Sequence, residues 1–301
     1  VYDFCAKKKV ILGILIGVLA ALVIGIIARG VDLAIEFKGG TIISYTYQGD
    51  VDTKAVSDTV KSIVNTSITV RTGESLDSDA KQITISFTSN EGLTADRQTE
   101  LTNALRENFA DNDFALYDSN DVAPTSGRKC LVAVIFAAIV VIIYIAIRFR
   151  NIGGWSAGVC SVFALLHDIL VAVTVTILFG FEFNSNLVAV ILTILGYSIN
   201  NTIVIYDRIR EDRKLMPKAS LDELINVSCT QSLTRSIRTS ITTISTMLIV
   251  TIVVLIKGYD SLLSFSVPLM FGLISGTYSS LFVAPVTWSW WKNKQAKKSS
   301  K

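Results

Sequence analysis

"LVAVILTILGYSINNTIVIYDRIRED", residues Leu187 to Asp212, decides what kind of chain this is. As far as Tyr206 it is mostly apolar, and it then breaks into Asp207, Arg208, Arg210, Glu211 and Asp212. A helix crossing a bilayer needs about 20 mostly apolar residues, so the run reads as a membrane span whose end is marked by charge. Working outward, five further stretches pass the same test: Val10–Ala28, Cys130–Ile147, Trp155–Leu178, Ile237–Ile256 and Leu262–Val286. Buried helices of a soluble domain explain one or two such runs, not six. With 50% hydrophobic residues and a mean hydropathy of +0.51, the chain reads as polytopic.

Lys7–Lys9 precede the first run, as in a signal peptide, but the run is long and lacks a small-residue cleavage site, so an uncleaved helix is expected. The chain begins at Val1 rather than Met, which leaves room upstream for a few trimmed residues or a fused partner. Lys and Arg placement sets the orientation. Lys7–Lys9, Arg148, Arg150, Arg208, Arg210, Arg213, Lys214, Lys292, Lys294, Lys297 and Lys298 fall on one side, expected to be cytoplasmic with both termini. The other side holds the long segment after the first span, acidic at Asp32, Glu36, Asp50, Asp52, Asp58, Glu74, Asp77 and Asp79, and short loops at Glu182–Asn186 and Lys257–Asp260. The net charge of +3 averages the two sides and does not point to nucleic acid. Cys5, Cys130, Cys160 and Cys229 lie at membrane or cytoplasmic positions without metal-like spacing, so neither disulfides nor a metal site is expected.

Between the first two spans, Ile42–Tyr47 and Gln82–Thr88 alternate in the manner of strands, Ser67–Arg71 does so weakly, and Phe114–Tyr117 offers a last short strand. Thr53–Val64 sets Val56, Val60, Ile63 and Val64 on one helical face, and Leu93–Phe109 does the same with Leu101, Leu105 and Phe109, Thr94 being a partial cap. The expected fold is therefore a polytopic α-helical membrane protein with six transmembrane helices and one α+β ferredoxin-like (βαββαβ) extracytoplasmic domain. The expected division is 1–29 for the cytoplasmic N-terminus and first helix, 30–127 for the external domain, 128–291 for helices two to six, and 292–301 for a basic cytoplasmic tail. That external fold serves many functions and decides none. Gly39-Gly40 reads as a flexible turn where the chain leaves the membrane, not a nucleotide loop.

Polar groups at membrane depth are expensive and point to function. His167-Asp168 sits well inside the third run, either as a hydrogen-bonded pair packing helices or as a step in a proton path. In the fourth, Thr193, Tyr197, Asn200, Asn201 and Arg208 are expected to form one polar stripe facing the bundle interior. The fifth opens with Arg235 and Arg238, followed by Thr239, Ser240, Thr242, Thr243, Ser245 and Thr246; Asn201 and these hydroxyls are candidate acceptors for the arginines. Gly272, Gly276 and Ser280 give the sixth a small-residue packing face, and Trp288, Trp290 and Trp291 read as an interfacial anchor.

With these motifs the chain resembles the SecF branch of the SecD/SecF family, within the proton-driven RND superfamily. "FKGGT" (Phe37, Gly39, Gly40 and Thr41 in particular), "RFRNIGGWSAGVCSVFALLHD", "LTILGYSINNTIVIYDRIRE" (with Gly196, Ser198, Thr202, Asp207 and Arg208), "QSLTRSIRTSITT" and "GLISGTYSSLFVAP" follow in the family's order. The resemblance implies a non-enzymatic subunit of the bacterial cell membrane, working with SecD and the SecYEG channel. Together they draw exported unfolded polypeptides across the lipid bilayer at the expense of the proton or sodium motive force, with no cofactor. It also implies a proton step at an Asp in the fourth helix and an Arg in the fifth; these positions are Asn201 and Arg235 here. An amide does not titrate usefully. The carboxylate must then come from the partner, the first choice, or from Asp168, or another ion is coupled. Glu36 also replaces the family's Asp before the F-x-G-G-T motif. Ion-pathway candidates are thus Asn201, Arg235, Asp168, His167, Asn200, Tyr197 and Arg238. The rival readings are a stand-alone RND-type exporter of small molecules or lipids, for which the single external domain is small, and an intramembrane enzyme, for which one His-Asp dipeptide is too little.

Overall fold

The computed structural model describes residues 1–64, 68–74, 81–88, 94–122, 125–150, 153–257 and 260–299. Ser67, Asp77, Asp79, Leu93 and residues 258–259 lie outside the described residues, as do the side chains of Glu36, Glu74 and Cys130. Helix α1, Lys8–Arg29, has little polar face. It leads through the short turn α2, Ile35–Lys38, into strand β1, Gly40–Tyr47. Then come α3 (Thr53–Val64), β2 (Ile68–Glu74), β3 (Lys81–Phe87), α4 (Ala95–Asn108) and β4 (Ala115–Val122). The remaining helices are α5 (Thr125–Arg148), α6 (Gly154–Phe179), α7 (Ser185–Leu215), α8 (Leu221–Lys257), α9 (Asp260–Tyr278) and α10 (Ala284–Ser299).

Five described helices are long and apolar enough to cross a bilayer: Cys5–Arg29, Gly154–Phe179, Ser185–Leu215, Leu221–Lys257 and Leu262–Lys298. The expected sixth, Cys130–Ile147, falls in α5, where the stretch meeting the apolar test is the shorter Ile135–Arg148. α9 and α10 are one span joined by a π turn, Ser279–Val283. Its cause is in the sequence. Pro285 has no N–H to give to the carbonyl four residues earlier, so the helix widens ahead of it. α7 and α8 outrun their apolar runs at the basic end because the extensions cover each other. Ile209, Leu224, Ile225 and Cys229 are fully buried there, in one cluster with Phe149, Tyr206 and Trp288. Trp288 is therefore a core residue at 0% exposure, not an interfacial anchor, whereas Trp290 and Trp291 do stand exposed.

The strands form one antiparallel sheet ordered β2-β3-β1-β4. Alternation of Ile43, Tyr45, Tyr47 and Ile83, Ile85, Phe87 sends these side chains to one face. There they meet Val56, Val60 and Val64 of α3 and Leu101 and Leu105 of α4. Strand β4 runs to Val122, beyond the expected Tyr117. Its polar continuation Asp118-Ser119-Asn120-Asp121 reads as loop in sequence. As an edge strand it needs only one partner, however, and Thr41 Oγ1 donates to Asp121 Oδ1 at 2.6 Å across the pair. Thr94 caps α4 by position only, without a side-chain hydrogen bond. Gly39-Gly40 is a fixed feature rather than a flexible turn. Gly39 closes α2 at φ +81° with its N–H on Ile35 O at 2.7 Å, and a Cβ on Gly40, at φ +155°, would overlap the Phe87 carbonyl oxygen.

Candidate functional site

The polar residues of α7 do not form one inward stripe. Thr193 and Asn200, seven residues apart and so on one helical face, are exposed, with Gly196 between them. Asn201, about a quarter of the circle from Asn200, and Ser198 and Thr202, nearly half the circle from it, are buried. Tyr197 lies between the two sets. Its hydroxyl donates to Ser240 Oγ of α8 at 2.8 Å and lies 3.4 Å from Thr277 Oγ1 of α9, which itself donates to Ser240 at 2.8 Å. Three helices are tied there by three hydroxyls. Close approach permits it: Gly276 faces Tyr197 and Ser198, and a Cβ on Gly272 would overlap Ile194 Cδ1.

The deepest polar centre is Asp168, at 0% exposure, beside His167 at 3%. Asp168 Oδ2 accepts from Ser198 Oγ of α7 at 2.7 Å and from Ser279 Oγ of the π turn at 2.6 Å. Its Oδ1 accepts from Ser275 Oγ of α9 at 2.6 Å and stands 3.3 Å from His167 Nδ1. Ser275 Oγ is also 3.3 Å from that nitrogen. Packing pair and ionisable centre are thus one object. A carboxylate taken from water is kept in place by hydroxyls from three segments. His167 Nε2 and the hydroxyl of Tyr278, whose ring centroid is 6.1 Å from the imidazole, are buried without a partner.

Asn201 is buried at 5% exposure with its amide nitrogen unpartnered, so that nitrogen makes no hydrogen bond among the described residues. Arg235 and Arg238 are exposed, and neither has an ion pair among the described residues. They share a face of α8 with exposed Thr239, Thr242, Ser245 and Thr246. The threonine hydroxyls turn back to their own helix, Thr242 to Arg238 O and Thr246 to Thr242 O, both at 3.0 Å. Arg235 also borders a cavity of about 590 Å³ with Arg148, Val204, Asp207, Arg208 and Gln231. The charged end of α7 is knotted rather than free. Asp207 pairs with Arg148 at 3.1 Å and Arg210 at 2.9 Å; Arg208 pairs with Glu211 at 3.1 Å and Asp212 at 3.4 Å and donates to Gln231 at 2.6 Å.

At the other end of the bundle, the chain entering the sheet is bonded to the loop before α7. Ala34 N donates to Phe183 O at 2.9 Å and Phe183 N to Asp32 O at 2.8 Å, while Arg71 of β2 forms an ion pair with Glu182. Of the FKGGT motif, Phe37 is half-buried in α2, Gly39 and Gly40 make the close approach, and Thr41 pins β4.

The site residues missed in the sequence are Ser275 and Ser279. The four-residue spacing was visible in Gly272, Gly276 and Ser280, but the same spacing one position over supplies the two donors to Asp168. The signal that finds them is Asp168 itself, since a carboxylate at that depth requires donors from a facing helix. No group of His, Cys, Asp and Glu able to hold a metal ion occurs among the described residues.

Residues 101–294 match the sequence model of the family described as protein export membrane protein SecD/SecF, C-terminal. Similar relatives include a protein translocase subunit SecF of Petrotoga mobilis, 32% identical over 289 residues, covering 94% of this chain and 93% of that one. A protein translocase subunit SecDF of Bacillus subtilis is 32% identical over 312 residues, covering 99% of this chain and 39% of that one. Among solved structures, SecDF of Thermus thermophilus, described as a translocon-associated membrane protein, superposes with a TM-score of 0.76 at 27% identity over 97% of this chain. SecDF in its super-membrane-facing form gives 0.68 at 26% over 99%. The chain spans about 40% of the length of these SecDF structures.

Proposed function

The chain belongs to the SecD/SecF family as a multi-pass, SecF-type accessory subunit of the Sec protein translocase, and from that premise we propose that it converts an ion gradient into export only when paired with SecD. α8 carries the proposal. Arg235 and Arg238 with the hydroxyls of Thr239, Thr242 and Thr246 occupy an exposed face at the edge of an apolar helix, where lipid would be a poor neighbour. A permanent cation there, without an ion pair among the described residues, calls for an acceptor from another chain, because Asn201 is buried and has no charge to offer. SecD is the partner that fits, and a carboxylate on its facing helix is the expected counterpart of Arg235. Fusion of the two halves in SecDF relatives supports their standing side by side.

α5 is the second of six spans. The sheet with α3 and α4 is a ferredoxin-like domain outside the cell membrane. The basic ends of α7, α8 and α10 are cytoplasmic, and so are both termini. The chain acts in the bacterial inner membrane with SecYEG on exported unfolded polypeptides. In its ion pathway, Arg235, Arg238, Asn200 and Tyr197 line the SecD-facing side, and Asn201, His167 and Asp168 lie within.

Export into inverted vesicles under imposed proton and sodium gradients, with and without this subunit, tests the reading. Stimulation by one gradient is expected, lost in Arg235→Ala and on removal of the SecD carboxylates. Should Asn201→Asp raise proton flux while loss of those carboxylates changes nothing, the counterpart of Arg235 is not in SecD.

A further inference from the structure

Asp168 holds a place that packing alone does not explain. Burying a carboxylate costs several kcal/mol even after relaxation, and a Ser or Asn could bridge the same helices without that cost. All three hydroxyls turn to it as donors, the arrangement suited to a charged acceptor. Among the described residues no Lys or Arg pairs with it: its basic neighbour is His167, itself buried and with Nε2 unpartnered. From the elements packed on α6, the groups facing the pair are Ser198 of α7, Ser275 of α9, and Tyr278 with Ser279 at the π turn. α1, α5 and α10 contribute no hydrogen bond or ion pair to it among the described residues. π turns of this kind recur at functional sites, and this one delivers Ser279.

We propose that His167 and Asp168 form a proton-binding centre whose occupancy sets the grip between α6 and the α7–α9 pair, an inference that deepens the gradient-driven reading above. Empty, the pair is a carboxylate beside a neutral imidazole, with a net charge of −1. One proton taken from hydronium, leaving water, makes it neutral overall. Within the centre that proton is shared: the O–H bond at Asp168 Oδ1 breaks as the N–H bond at His167 Nδ1 forms, giving carboxylate and imidazolium, and the reverse. With the proton on Oδ1 and directed at His167 Nδ1, the carboxyl is neutral and the bonds from Ser198, Ser275 and Ser279 lose their charge assistance. With it off, all three meet a carboxylate and are held more tightly. The proton thus loosens and tightens the contacts of α6 with α7, α9 and the π turn.

His167 is the one histidine in the chain, so ¹⁵N-histidine labelling of the full-length protein reads it alone, and infrared difference spectra across pH read the carboxyl. A protonated-carboxyl stretch that comes and goes reversibly in step with the His167 ring signals is expected, and it is absent in Asp168→Asn. Ser279→Ala, a milder change, keeps the band but moves it to higher frequency, as for a carbonyl with one donor fewer. Asp168→Asn is expected to lower gradient-stimulated export at least tenfold while still co-purifying with SecD, and Asp168→Glu to recover part of it. A carboxyl fixed in one state across the pH range of export, or spectra unchanged in both variants, overturns the proton centre. If the spectroscopic step is present but export ignores every imposed gradient, the gradient-driven reading fails and the proton centre stands.

Discussion

Trp288 shows how much a single residue's setting can change its meaning. In sequence it sits with Trp290 and Trp291 before a run of lysines, the composition of an interfacial belt. In the fold its ring is fully buried, 5.6 Å from that of Tyr206, and its Nε1 donates to Ser156 Oγ at 2.9 Å. Trp288→Ala should therefore cost about 3–5 kcal/mol, the usual range for emptying a buried aromatic site. Trp290→Ala should lie within about 0.5 kcal/mol of the parent, as exposed substitutions do. Thermal unfolding of the two variants in the same detergent measures the difference; equal losses would return Trp288 to the belt. Helical phase decides it. Trp290, two residues on, lies nearly opposite Trp288 around the helix, whereas Trp291, three residues on, lies closer to its side and is the less exposed of the two. Asn200 and Asn201 fall on different faces for the same reason.

Among the elements, the sheet was the most legible. Alternation gave β1 and β3 within two residues, and the valine spacing of α3 gave both of its ends. Legibility failed where a residue's role is set by something distant in sequence. β4 continues through polar residues because β1 lies beside it, and α8 begins at Leu221 because the end of α7 covers it. The donors of Asp168 come from residues 30 to 111 positions away. The sheet's core also carries a pH signature. Tyr45 is fully buried, and burial pushes its hydroxyl above the ordinary value of 10.0, only partly offset by Thr102 at 3.1 Å. The folded domain then keeps a proton that the unfolded chain has released, so its stability is intact below about pH 10 and falls as pH rises beyond it. Protease resistance of the sheet and its two helices in the whole protein should drop over that range. Tyr45→Phe should flatten the drop, and an unchanged slope would assign it to other groups.

On the scale of the molecule, the described helices differ in how far the bundle covers them. The most apolar window is 67% buried in the α9–α10 span and 50% buried in α6, against 17% in α8 and 11% in α1. Cysteine placed at Thr242 should react readily with a membrane-permeant maleimide when the subunit is expressed alone. Co-expression with SecD should slow that reaction at least tenfold, while cysteine at exposed Phe163 of α6, on another part of the bundle, should label equally in both cases. Equal labelling at both sites would place SecD elsewhere.

The two backbone hydrogen bonds between Asp32–Ala34 and Phe183, with the Arg71–Glu182 ion pair beside them, have a mechanical consequence. A domain hung only on its two covalent connections, into β1 and out of β4, rocks about the line that joins them, and work done on one end is dissipated before it reaches the other. Clamped at a third point, the sheet cannot rock about that line without tearing the clamp. A tilt of α6 against α7 is thus delivered to the sheet as torque. Spin-label distances between the sheet and the α6–α7 loop should stay narrow through a turnover, and cutting the clamp at Phe183 should leave ion movement intact while decoupling it from export.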